Sequence, residues 1–223
     1  EGLAWEVQPR FSPDGRRIAF TSDRGGGDNI WIMNSDGSDK RQLTKEEFRL
    51  LNQASWSPDG NYIVAKKHFT TQRSLGTGEI WLYHVSGGGG VKLVARANEA
   101  LQKELGEPVY APDGSAVYYS RNVTPGPIFE YAQDSTQGTF AIERYDLATG
   151  EVTTAVSGYG GAVRPQPSPD GRSLAFIRRD LGRTDSTVDL HKARPIRVVL
   201  EGSEDTAIPA FWTGMKEAGL VET

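Results

Sequence analysis

Four polar residues, Gln8, Gln53, Glu107 and Arg164, each stand five positions ahead of a Pro-Asp-Gly tripeptide. A polar side chain repeated at one place in a repeat becomes a ring of polar groups if the repeats surround a common axis. Such a ring, extended by Glu6 and Asn52 close by in sequence, offers oxygen donors of the kind a hard cation such as Ca²⁺ takes, about six to eight at a time. Glu107, Glu6, Gln8 and Gln53 are then the candidate ligands through which a divalent ion would polarise an ester or phosphoester oxygen or activate water. The plainer reading is a water-filled channel whose wall is polar because it is wet. The histidines are His68, His84 and His191. His68 and His84 fall in neighbouring strand patterns where alternation brings them together, which makes them weak metal candidates, although their separation matches no local zinc motif. Ser86 and Ser157 precede glycines in hairpin-like turns and belong to no Gly-x-Ser-x-Gly elbow. The glycine runs at 25–27 and 87–90 lack the Lys-Ser/Thr ending of a phosphate loop and read as hairpin tips.

The elements that must position these residues follow from the repeat itself. Pro13-Asp14-Gly15, Pro58-Asp59-Gly60, Pro112-Asp113-Gly114 and Pro169-Asp170-Gly171 recur at spacings of 45, 54 and 57 residues, and a fixed period of this size marks a repeat architecture. Proline presets φ for a turn, aspartate tolerates the next position, and glycine accepts the left-handed conformation that closes a bulged hairpin. After each glycine comes an alternating run: Arg17-Ile18-Ala19-Phe20, Tyr62-Ile63-Val64-Ala65, Ala116-Val117-Tyr118-Tyr119 and Ser173-Leu174-Ala175-Phe176. This is strand patterning. Third strands are expected around 29–33, 79–83 and 141–145, and fourth strands around 41–43, 91–93 and 152–154. Each unit is a four-stranded antiparallel meander, the size of a propeller blade.

The fold expected is therefore all-β, a β-propeller of three full blades plus a partial fourth, followed by an irregular C-terminal tail. The blades are expected at about 5–46, 52–96, 106–157 and 163–200, with a non-repeat tail over 201–223 whose stretch from Pro209 suits a short helix. In the fourth unit the third strand is hard to see, and 186–191 with 196–200 are expected to pair as a short hairpin. In a propeller the first strand of each blade lines the channel, which places Gln8, Gln53, Glu107 and Arg164 on its wall. The insertion from Asn122 to Thr139, with Pro125, Pro127, Phe129 and Tyr131, has the composition of a binding loop on a rigid scaffold.

Segments such as Phe11-Ser-Pro-Asp-Gly-Arg-Arg-Ile-Ala-Phe-Thr-Ser-Asp-Arg24, and Ile30-Trp-Ile-Met-Asn-Ser-Asp-Gly-Ser38 followed by Arg41-Gln-Leu-Thr44, resemble the TolB-type (WD40-like, PD40) propeller repeat. The run Glu79-Ile-Trp-Leu-Tyr-His-Val-Ser-Gly-Gly88 resembles the propeller that precedes a metal-dependent amidohydrolase domain in some large exported proteins. The resemblance covers roughly residues 1–180. It implies a module that docks a protein or peptide partner, with periplasmic or secreted localisation; alternatives are a metal-dependent hydrolase with its ion in the channel and a gating domain of a larger amidohydrolase. Propellers typically close with four to eight blades, and TolB-type rings with six or more, so a homodimer that completes the ring is expected.

The composition fits this class. A formal charge of −4, a pI near 5.5 and interspersed charges give no basic face for nucleic acid. No run approaches the roughly 20 apolar residues of a membrane span, and residues 1–8 lack the features of a signal peptide. Cysteine is absent, so no disulfide framework contributes.

Overall fold

The computed structural model describes residues 3–47, 49–69, 78–95, 104–124, 139–158, 161–179 and 196–202. The helix expected beyond residue 202, the strand expected at 186–191, His191 and most of the 122–139 insertion lie outside the described residues. Each alternating run after a Pro-Asp-Gly turn is the second strand of an antiparallel sheet. The first sheet comprises β1 (Glu6–Phe11), β2 (Arg17–Ser22), β3 (Asn29–Asn34) and β4 (Arg41–Gln42), in chain order. The second comprises β5 (Arg49–Trp56), β6 (Tyr62–Phe69), β7 (Gly78–His84) and β8 (Val91–Val94). The third comprises β9 (Leu105–Tyr110), β10 (Ala116–Asn122), β11 (Phe140–Asp146) and β12 (Val152–Val156), and the fourth β13 (Val163–Pro167), β14 (Ser173–Arg179) and β15 (Ile196–Gly202).

Residues 196–202 pair along the whole of β14, from Arg179↔Ile196 to Ser173↔Gly202, and supply the third strand of the fourth sheet that was hard to see in the sequence.

The turns are built as their residues dictate. Gly15, Gly60, Gly114 and Gly171 all hold φ between +70° and +74°, which glycine adopts without Cβ strain. In three of the four turns a serine completes a local network: Arg17, Tyr62 and Ser173 each donate their amide to the hydroxyl of Ser12, Ser57 or Ser168 at 2.9 Å. In the third turn alanine occupies that place, and Ser115 instead donates its amide and its hydroxyl to Asp113.

The core lies between successive sheets. Because side chains alternate along a strand, Ile63 and Ala65 of β6 face the first sheet, where they join Ala19, Ile30 and Ile32. Val64 and Ile80 face the third sheet, against Leu105, Val117 and Tyr119. Phe176, Leu174 and Ala162 then close on Ile142 and Val156. A fully buried aliphatic side chain contributes about 1.5–3 kcal/mol, far more than a hairpin turn, so sheet-on-sheet contact holds the inner strands in place.

Candidate functional site at the inner-strand bulges

The first strand of every sheet carries a bulge at the same place. In each, two residues oppose one across the ladder: Gln8-Pro9 against Phe20, Gln53-Ala54 against Ala65, Glu107-Pro108 against Tyr119, and Arg164-Pro165 against Phe176. The first bulge residue is left-handed each time, with φ of 56°, 57°, 46° and 57° at Gln8, Gln53, Glu107 and Arg164. Proline follows in three of the four, where a ladder N–H is lost in any case. Left-handed backbone costs a residue with a Cβ on the order of 1–3 kcal/mol; four such residues persist only if their surroundings fix them.

Those surroundings are the neighbouring sheets. Gln53 donates its amide to Gln8 Oε1 at 2.8 Å, and Glu107 donates its amide to Gln53 Oε1 at 3.0 Å. At the third junction the link passes through a hydroxyl: Arg164 donates its amide to Ser120 Oγ at 3.3 Å, and Ser120 donates to Glu107 Oε2 at 2.6 Å. The bulge thus turns an amide out of its own ladder and toward the side chain of the preceding sheet. Trp56 adds a further tie, donating its indole N–H to the Arg10 carbonyl at 2.9 Å. Arg164 ends the series, because a guanidinium only donates. Its side chain is 68% exposed and stands 3.7 Å from Glu107 Oε1.

These strands wall an open cleft of about 710 Å³. Its lining combines the four bulge residues with the aromatic rings of Trp56 and Tyr110 and with prolines such as Pro112, and adds a second cation at Arg10. Burial raises the Tyr110 phenol above its ordinary pKa, so it stays neutral.

The remaining expected ligands are engaged elsewhere. Glu6 forms ion pairs with Arg24 and Lys40. His68 Nε2 lies 3.0 Å from Asn52 Oδ1. His84 Nδ1 lies 2.6 Å from the Ser86 hydroxyl, and its ring meets Tyr62 edge-on at 5.1 Å. His68 and His84 occupy opposite ends of the β6–β7 pair, opposing Gly78 and Tyr62 respectively, so alternation does not bring them together. Among the described residues no three His, Asp or Glu side chains gather into a donor set.

Two constellations escaped sequence reasoning. Arg121 bridges Glu104 at 2.7 Å and Glu143 at 2.6 Å, while Tyr119 donates to Glu143 at 2.7 Å. Lys67 pairs with Glu46 at 2.6 Å and lies 3.9 Å over the Trp81 ring. Their signal was a charge at an inward strand position, at Lys67 and Arg121, which alternation marks as anomalous.

Comparison with known proteins agrees with this geometry. The crystal structure of TolB from Acinetobacter baumannii superposes with a TM-score of 0.64 at 20% identity, covering 89% of this chain and 41% of that one. The putative TolB of Agrobacterium tumefaciens gives 0.64 at 23%, covering 91% and 64%. In sequence, the uncharacterized peptidase YuxL of Bacillus subtilis (strain 168) is 32% identical over 145 residues, 53% of this chain and 22% of that protein. The chain thus spans about a fifth of that relative's length. A TolB protein of Anaeromyxobacter dehalogenans is 50% identical over 36 residues, 16% of this chain and 8% of its own length. The TolB beta propeller domain profile matches residues 1–129, more than half of the sequence, and the chain belongs to that family.

Proposed function

We propose that this chain is a protein-interaction module that takes an extended peptide segment of a partner at the channel mouth. The observation that carries the reading is the cleft of about 710 Å³ between the inner strands, walled by flat rings and ending on the exposed guanidinium of Arg164. Flat apolar walls with a few fixed polar groups suit peptide recognition. The test is a peptide library panned in parallel on the wild-type chain and on Arg164→Glu, which leaves the core untouched. Peptides retained by the wild type and lost on the variant, at unchanged Tm, are expected; equal retention by both would overturn the reading.

The likeness to YuxL, which bears the name peptidase, and to the crystal structure of the tricorn protease, at TM-score 0.56 and 14% identity, supports a second form of the same function. Here the propeller admits peptide to a catalytic domain elsewhere in a longer protein. The divalent-ion hydrolase reading has less support, because Glu6 is engaged by two cations and Gln8, Gln53 and Glu107 already link the sheets. Family membership supports an exported, periplasmic setting, checked by fractionation of the native host. The apolar face of the first sheet supports association with a second copy, checked by light scattering across concentration.

A further inference from the structure

The junction between the third and fourth sheets differs from the two before it. At the first junction Trp56 plugs the seam, and the Arg17 guanidinium lies 4.9 Å over its ring and donates to the Gly60 carbonyl at 2.9 Å. At the second junction Tyr110 plugs the seam, and Tyr62 occupies the place of Arg17. At the third both positions hold small residues, Pro167 and Ala116. The turns register the change. A methyl group on Gly60 would lie 3.9 Å from the Pro13 ring, and one on Gly114 would lie 3.8 Å from Pro58, whereas on Gly171 it would meet nothing within 4 Å.

The result is a groove of about 530 Å³ between the third and fourth turns. It shares Pro112, Pro167 and Pro169 with the channel cleft and is otherwise lined by residues of the seam itself. Its apolar lining includes Tyr118, Val156 and Leu174, which belong to the core of this junction. Two cations, Arg144 and Arg172, and two carboxylates, Asp113 and Asp170, stand around it. The formal charges cancel, and the carboxylates already accept hydrogen bonds within their own turns.

We propose that this groove is a receptor for a tryptophan side chain of a partner polypeptide. The two groups that tie the first junction show what such a seam takes: the Trp56 indole and the Arg17 guanidinium are both flat, and each donates N–H to a backbone carbonyl of the neighbouring sheet. A neutral surround favours the indole over the guanidinium, since a further charge there gains no unopposed partner. The Gly171 carbonyl stands at the counterpart of the Gly60 carbonyl that accepts from Arg17, so it is the acceptor for the indole N–H. The site is separate from the Arg164 end of the channel, and its failure leaves the channel reading intact.

N-acetyltryptophanamide is the probe, followed by amide chemical shifts of the ¹⁵N-labelled chain. Saturable shifts in the millimolar range are expected at Ser115, Gly171 and Ser173, with N-acetylphenylalaninamide about fivefold to tenfold weaker because it lacks the N–H. Pro167→Trp restores the plug found at the first junction, and is expected to raise Tm and abolish the shifts. The comparison of the two probes on the wild type stands even if that variant does not fold. Absence of shifts at these amides, equal affinity for both probes, or shifts undiminished in a folded Pro167→Trp chain would each overturn the proposal.

Discussion

At Gln53 two effects meet in one residue: a left-handed backbone, at φ 57°, and a side chain that accepts the Glu107 amide. Alanine there keeps the strain and removes the acceptor; glycine removes both. Gln53→Ala is therefore expected to cost more than Gln53→Gly, by about 1 kcal/mol, in urea denaturation. The reverse order would mean that the conformation is unstrained, since both variants lack the acceptor. The turn carboxylates supply a second test at this scale. Asp14, Asp59 and Asp170 are held below the ordinary carboxylate range chiefly by the hydroxyls of Ser12, Ser57 and Ser168, and Asp113 chiefly by the Ser115 amide. A carboxylate depressed in the folded state stabilises above its unfolded pKa, and that stability is lost as pH falls through the folded value. Stability is expected to be flat near neutrality and to decline below about pH 4, with a shallower decline in Asp59→Asn than in the wild type. The positions of these residues were legible, since counting back from Pro-Asp-Gly finds all four bulges. What the count missed is that Gln8 and Gln53 also accept the next sheet's amide, because that depends on how two sheets meet and not on either strand alone.

An element is only as secure as the face it presents. Trp56 and Phe11 hold the same place in successive inner strands, yet Trp56 is 7% exposed and Phe11 is 65% exposed. Truncating a buried aromatic ring costs about 3–5 kcal/mol through lost transfer energy and the cavity left behind. Trp56→Ala is expected to lose that much and Phe11→Ala less than about 1 kcal/mol, read by the same denaturation midpoint; similar losses would mean that the two strands are equally covered. In β10 the comparable anchor is ionic. Arg121 pairs with both Glu104 and Glu143, so Arg121→Ala removes the cation between two carboxylates and is expected to cost about 3–5 kcal/mol. The strands themselves were readable from alternation bounded by turn residues. β15 was readable as a strand at 196–200, but its pairing with β14 was not, because that contact crosses an insertion and leaves no short-range signature.

Across the whole molecule, each sheet covers the face of the next, and the leading face of the first sheet has no described sheet in front of it. Phe11 stands 65% exposed there, whereas Tyr110, like Trp56, is reduced to 7% by the sheet before it. An apolar sheet face of this kind promotes association, and a second copy would present Ala175 and Ile177, half-buried on β14. Its bulge would not match. Within the chain, the preceding sheet offers an oxygen to the next bulge amide, at Gln8, Gln53 and the Ser120–Glu107 pair, but Arg164 would set a donor against the Gln8 amide. If two copies associate through this face, apolar contact drives the association and one mismatched polar pair weakens it. Phe11→Asp is expected to lower the mean mass seen by light scattering at high concentration, and Arg164→Gln to raise it by supplying the missing acceptor. If neither variant moves the mass, self-association does not use this face.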